Sequence, residues 1–176
     1  METKELNDKR VMHIDTSCKL YERKDTGIAY KIINSNAHKG LALSIKLKKE
    51  LERDFKINED YAKVYAICIY YLIKDDLNLF DVLVICGDED FTATKLYLDL
   101  LLKHNLEYKN KKIISVYELR RITGKNKLKS YADNLSRSYR KRALKSRKRQ
   151  QLGTLLSPLR INYRMIKEKI LELENL

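Results

Sequence analysis

Three adjacent acids, Asp88, Glu89 and Asp90, stand near the end of the stretch DVLVICGDEDF at residues 81–91. Ahead of them Val82, Leu83, Val84 and Ile85 form a continuous apolar run, which predicts a strand buried on both faces. Such a strand delivers the acids to one end of a sheet. Carboxylates so close together repel one another unless a cation sits among them, and a divalent metal ion is the usual solution. A plainer role is also open: Asp88 and Glu89 could begin the next helix, where the amino-terminal dipole favours negative charge. Acids converging on the same strand end from elsewhere in the chain would decide for the metal.

Three further positions are candidates. Asp15 lies near the middle of a predicted strand at 11–18, VMHIDTSC, and aspartate within a strand is disfavoured and costly if buried without a partner. Its alternative is an exposed edge position paired with Lys19 or Lys31. Glu59 and Asp60 occupy the first turn of an apolar helix predicted at 59–74 and capped by Asn58, where the helix dipole by itself accounts for at least one of them. Asp133 is the single acid between Gly124 and Leu152, and serves either a site or an intrahelical ion pair with Arg137 four residues on. Four carboxylates on separate elements, Asp15, Asp60, Asp88 and Asp133, can hold two divalent ions about 4 Å apart, which activates a water and stabilises the leaving oxygen in phosphodiester cleavage.

The elements that must position these acids follow from pattern and punctuation. Residues 27–34 (GIAYKIIN) predict a second strand, joined to the first as a hairpin through Asp25-Thr26-Gly27. In GLALSIKL at 40–47, Leu41, Leu43, Ile45 and Leu47 alternate, which predicts a third strand passing into a charged turn or short helix at 48–56; a helical reading through Leu43, Leu47, Leu51 and Phe55 competes with it. The helix at 59–74 offers Ala62, Tyr65, Ala66, Ile69 and Leu72 to the core. Beyond the strand at 82–85, residues 91–104 predict a helix with Leu96, Leu100 and Leu101 as its apolar stripe, and KKIISVY at 111–117 a fifth strand. Gly124 and Asn126 mark a loop, after which 128–149 is helical. Gly153 to Pro158 ends that helix. Ile161 to Leu176 then forms a separate amphipathic helix, with Ile166, Ile170 and Leu173 on one side, that packs back on the domain or meets a protein partner. The organisation is a domain at 1–150 followed by a helical extension at 151–176.

Composition narrows the function. With 44% hydrophobic and 35% charged residues the chain is globular rather than disordered. Its net charge of +13 favours an anionic partner, nucleic acid first, because neutralising phosphates releases counterions. Between Arg137 and Arg149 there are eight Lys or Arg residues and no acid, which is either a solvated charge run or a backbone grip. In the second case Arg137, Arg140, Lys141, Arg142 and Lys145 contact phosphates, and the interleaved Tyr131 and Tyr139 add stacking or sugar contacts. Cys18, Cys68 and Cys86 are widely spaced and His13, His38 and His104 fit no zinc motif, so the cysteines are expected to be reduced, in a cytoplasmic protein. The charged opening METKELNDKR is not expected to be a signal peptide, and no run approaches the roughly 20 apolar residues that span a membrane.

In this order the segments resemble the type-one branch of the ribonuclease H-like superfamily. HIDTSC is similar to that family's first strand, with Asp followed by Gly-Ser; GIAYKIIN resembles its second strand; NEDYAKVYAICIYYL the helix beginning Ala-Glu-Tyr; VICGDED the strand ending in Asp-Ser; and GKNKLKSYADNLSR the closing Asn…Ala-Asp-x-Leu segment. The likeness spans about Val11 to Lys141. It implies an α/β fold with a mixed five-stranded sheet in the order βββαβαβα, flanked by helices, and a nuclease dependent on Mg2+ or Mn2+ that cuts the RNA strand of an RNA–DNA hybrid, or RNA. Asp15, Asp60, Asp88 and Asp133 would be its ligands. Thr16 stands in place of the family's Gly, Asp60 in place of its Glu and Glu89 in place of its Ser, which leaves a non-catalytic nucleic-acid-binding domain of the same fold as an alternative. CGDEDF is also similar to the Gly-Asp-x-Asp-Phe segment of NYN/PIN-like nucleases, which would make Asp90 a ligand beside Asp15 and Asp88. That fold requires a helix soon after its first strand, where this chain predicts a hairpin.

Overall fold

The computed structural model describes residues 8–57, 60–86, 89–124, 130–146 and 159–175. Three strands come first: β1 (Val11–Thr16), β2 (Thr26–Ile32) and β3 (His38–Leu43). Helices α1 (Ile45–Phe55) and α2 (Tyr61–Ile73) lead to β4 (Val82–Ile85). Helices α3 (Phe91–Leu101) and α4 (Leu106–Lys109) lead to β5 (Lys112–Ser115), and α5 (Val116–Thr123), α6 (Asp133–Ser146) and α7 (Tyr163–Glu174) follow. The sheet order is β3-β2-β1-β4-β5. β1 and β2 form the expected antiparallel hairpin, with Met12 opposite Ile32 and Thr16 opposite Ile28. β4 lies parallel to β1 and β5 parallel to β4, so the chain is α/β with a mixed five-stranded sheet.

Side-chain alternation along these strands builds two apolar layers. Met12, Ile14, Ile28, Tyr30, Leu41, Leu43, Leu83 and Ile85 face one way, into a large core with α1, α2, α3 and α7. Helix α2 is apolar on nearly every side and ten of its thirteen residues are buried, as a helix enclosed by neighbours requires. Val82, Val84, Cys86 and Ile114 face the other way and form a smaller layer with Leu119 of α5. Over β1, β2 and β3 that second face is covered by the basic helix α6. The close approach has a steric reason: a Cβ on Gly27 would lie 2.0 Å from the Ser136 carbonyl oxygen, and one on Gly40 would lie 2.2 Å from the Tyr139 ring. Gly27 and Gly40 are there for space, not for turn geometry.

Several expectations are corrected. The third strand stops at Leu43, and the helical alternative wins from Ile45, because the Ser44 hydroxyl accepts the Leu47 N–H (3.0 Å) and the Asp25 carboxylate accepts the Ile45 N–H (2.7 Å). Asn58 lies outside the described residues, and the cap of α2 is Asp60. In α3 the buried stripe is Thr94, Leu98 and Leu101, whereas Leu96 is exposed; spacing of four and three sets that face, and a buried threonine hides it from a hydrophobicity count. The fifth strand ends at Ser115, whose hydroxyl forms a capping box with Glu118 and starts α5. The expected helical extension packs into the main core through Ile166, Ile170 and Leu173, with the Tyr71 hydroxyl donating to the Met165 carbonyl (3.1 Å).

Gly27→Ala forces a methyl group against backbone, so it is expected to lower unfolding free energy by about 1–3 kcal/mol, the range for overpacking a tight contact. Urea denaturation checks this, and a loss below about 0.5 kcal/mol, typical of a neutral surface change, would show that α6 does not depend on the close approach.

Candidate active site

The carboxyl ends of β1 and β4 lie side by side. Their parallel register pairs Ile14 with Ile85, and the Cys86 N–H donates to the Ile14 carbonyl (2.8 Å). Asp15 is therefore next in line beside Cys86, at the carboxyl end of its strand rather than the middle, because β1 ends at Thr16. β1 sits between β2 and β4, which rules out the edge position considered for Asp15. The Asp15 carboxylate is partly buried and its Oδ1 accepts the Thr16 N–H (2.8 Å). Its charge is felt by two neighbours. Burial, and then the Asp15 charge, push the Cys86 thiol up to about 12, and the same two causes raise the fully buried Tyr65 phenol well above its ordinary value. Tyr65 donates to the Cys86 carbonyl (2.9 Å), which ties the first turns of α2 to the exit of β4.

Asp88 and Glu59 lie outside the described residues. Asp60 is found at the amino terminus of α2, where its side chain accepts the Lys63 N–H (3.2 Å) and the Tyr97 hydroxyl. Its position at the helix start suits the dipole as expected, but as the cap itself rather than within the first turn. Asp133 opens α6 and its Oδ1 lies 3.1 Å from the Arg137 guanidinium, the intrahelical pair that the spacing allowed. It shares the Asp15 side of the sheet, since Tyr131, two residues earlier, stands edge-on to His13 with ring centroids 5.4 Å apart. Asp90 is exposed and caps α3 by accepting the Ala93 N–H (3.1 Å). Glu89 accepts the Leu20 N–H (2.8 Å) and so fastens the loop after β1 to the segment after β4. Among the described residues no three His, Cys, Asp or Glu side chains are grouped closely enough to hold a metal ion; Asp15, Asp60 and Asp133 do not form such a group by themselves.

The basic helix turns Ser136 and Tyr139 inward, and Ala132 just before it is also buried. Arg137 and Lys141 are exposed, Arg140 and Arg142 half-buried, and the Lys145 side chain lies outside the described residues. Tyr139 is corrected as a stacking candidate: it is buried over Gly40, and its hydroxyl is 3.2 Å from His38 Nδ1. Tyr131 remains exposed.

Two residues were not singled out by sequence. Lys48 is buried, and its Nζ donates to the carbonyls of Leu20 (2.8 Å) and Glu22 (2.6 Å) and to Thr26 Oγ1 (3.2 Å). Its place on the Leu47–Leu51 face of α1 was the available signal. His13 is buried in β1 with neither ring nitrogen hydrogen-bonded among the described residues, and burial lowers its pKa to about 4. No helix among the described residues is long and apolar enough to cross a membrane.

Comparison with protein-family models, with curated proteins and with solved structures gave no match.

His13 makes stability depend on pH with a definite sign. The unfolded chain takes up its proton near 6.5 and the folded chain near 4, so the unfolded state binds more protons in that window and stability falls as pH falls through it. The full loss is about 3 kcal/mol. His13→Leu should flatten the dependence, measured as the difference in urea unfolding free energy between pH 7 and pH 4.5; equal slopes for both proteins would refute the assignment.

Proposed function

We propose that this chain is a divalent-metal-dependent nuclease of ribonuclease H-like fold that hydrolyses the RNA strand of an RNA–DNA hybrid. The observation that carries the reading is the pairing of β1 with β4, which sets Asp15 beside Cys86, two residues before Asp88 in the chain. The chain order βββαβαβα implied by the resemblance supports it, with α1, α4, α5 and α7 as additions. The NYN/PIN-like rival loses its premise, because β1 is followed by an antiparallel partner rather than a helix.

Carboxylate oxygens are the donors that Mg2+ and Mn2+ prefer. Asp15 fits that chemistry at the strand end. Because the described acids make no three-membered group, the reading requires Asp88 as its second ligand. Asp60 and Asp133 keep acceptor positions beyond those used by Lys63, Tyr97 and Arg137, since a carboxylate has about four. A bound ion of this kind supplies an activated water and charge stabilisation at the leaving oxygen. The protein's own part is to hold Asp15 rigid within the sheet and to present the exposed Arg137 and Lys141 to the phosphate backbone.

A labelled RNA–DNA hybrid incubated with the protein and Mg2+ or Mn2+ should be cut. Asp15→Asn and Asp88→Asn should each reduce cutting to background while each variant still unfolds in a single cooperative transition in urea, as a substitution that keeps the side chain's shape allows. Absence of cleavage under both metals, on hybrid, duplex RNA and single strands, would refute the proposal.

One observation favours a second reading, a nucleic-acid-binding domain without catalysis: Asp60 and Glu89, two of the three departures from the family pattern, both carry structural hydrogen bonds. In that case binding is salt-sensitive, is unchanged by Asp88→Asn, and weakens on charge reversal at Arg137 and Lys141. Each phosphate contact removed should lower the slope of log affinity against log salt by about 1.

A further inference from the structure

The loop between β1 and β2 presents an aromatic side chain that the proposed chemistry does not use. Tyr21 is 53% exposed, yet its backbone neighbours are held firmly. Lys48 binds the carbonyls on both sides of it, those of Leu20 and Glu22, and Glu89 takes the Leu20 N–H. A loop tip is ordinarily free to move; here a buried lysine and a carboxylate hold the backbone on both sides of the exposed ring. Fixing an exposed aromatic in advance removes part of the entropy lost when it stacks on a ligand.

Tyr21 forms one wall of an open groove of about 730 Å³ between this loop and α1, a volume in the range of ligand-binding clefts. Tyr61 stands at its inner side, its ring 6.5 Å from that of Tyr21, and Arg23 and Lys49 line it. Both cations are exposed, and neither makes an ion pair or hydrogen bond among the described residues. The acids in the groove are engaged: Glu22 with Lys24 and the Lys19 N–H, Glu52 with the Tyr61 hydroxyl. Lys19 adds a further positive charge 5.5 Å from the Tyr21 ring centre. The groove therefore offers an exposed aromatic ring on a held loop, with Arg23, Lys48, Lys49 and Arg53 outnumbering Glu22 and Glu52 along its lining.

We propose that this groove binds one or two unpaired nucleotides of a single-stranded nucleic acid, with a base stacked on Tyr21 and the flanking phosphates held by Arg23 and Lys49. Unpaired bases are indicated because stacking on a side chain requires a base free of its duplex neighbours, and a concavity of this size excludes a double helix. The inference rests on the nucleic-acid reading and deepens it. Glu89 couples the loop to the segment after β4, so the loop bearing Tyr21 is tied to the carboxyl end of the sheet.

The chain contains no tryptophan, which makes Tyr21→Trp a single reporter. In the full chain without added metal, an oligothymidylate of about eight nucleotides, within the usual single-strand site size, should quench that emission saturably. Leu106→Trp, at an exposed position on α4, should be unaffected. The double variant Arg23→Glu, Lys49→Glu should weaken single-strand binding about tenfold or more while leaving duplex affinity within about twofold, as expected for phosphate contacts confined to the groove. Oligothymidylate that fails to bind, that binds without quenching Tyr21→Trp, or that quenches both reporters equally would overturn the groove assignment. Should the double variant fail to fold, judged by circular dichroism, the two tryptophan reporters still decide. Because metal is absent, these outcomes are independent of the hybrid-cleavage assay, which judges the nuclease reading by itself.

Discussion

The parallel pairing of β1 with β4 is the contact on which the rest of the structure depends. It joins segments about seventy residues apart in the chain and is secured at both ends. At the amino end, the Arg10 guanidinium forks onto Asp81 (2.8 and 3.1 Å) and also reaches the Asn78 carbonyl (2.6 Å); Arg10 in turn holds the Asp81 carboxyl down to about 2. At the carboxyl end, the Cys86 N–H meets the Ile14 carbonyl and Tyr65 meets the Cys86 carbonyl. Between these clamps Val82 to Ile85 is buried on both faces, so a shift of register by one residue would turn every core side chain to the wrong layer. That constraint carries Asp15 to the strand end where a site can form.

The two sides of the sheet are covered by different means. One is a broad apolar core in which α2 is enclosed and α7 completes the packing. The other is closed over β1 to β3 by a helix too basic to contribute much apolar surface. It compensates by proximity, with Ser136 and Tyr139 seated on Gly27 and Gly40. Dispersion contacts grow quickly at short range, and the helix thereby keeps Arg137 and Lys141 outward. Positive charge can then be concentrated beside the Asp15 edge without being buried.

Legibility followed the range of the interaction. The doubly buried β4, the β1–β2 hairpin, the apolar α2 and the buried side of α7 all announce themselves in local periodicity, and each is found close to its expected bounds. The ionic pairing of Asp133 with Arg137 was equally plain, because it is set by helix spacing. Element boundaries were less legible where a cap decides them: Ser44, Asp60 and Ser115 start helices through single side-chain hydrogen bonds, which a hydrophobicity pattern does not register. The stripe of α3 keeps the expected Leu101 but runs through Thr94 and Leu98 rather than Leu96, because Thr94 is polar by type and buried by position.

By itself, then, the sequence determined the class of each main element, the basic character of α6 and the identity of the acids available for chemistry, since all of these depend on composition and spacing within a few residues. Only the tertiary structure decided which strand ends meet, that Asp60 bonds Tyr97 and Glu89 bonds the Leu20 N–H, that Tyr139 faces the sheet, and that Lys48 is buried to pin the loop bearing Tyr21. Those outcomes depend on register and on contacts between segments distant in the chain, where one hydrogen bond or one missing Cβ selects among arrangements that the local pattern leaves equal.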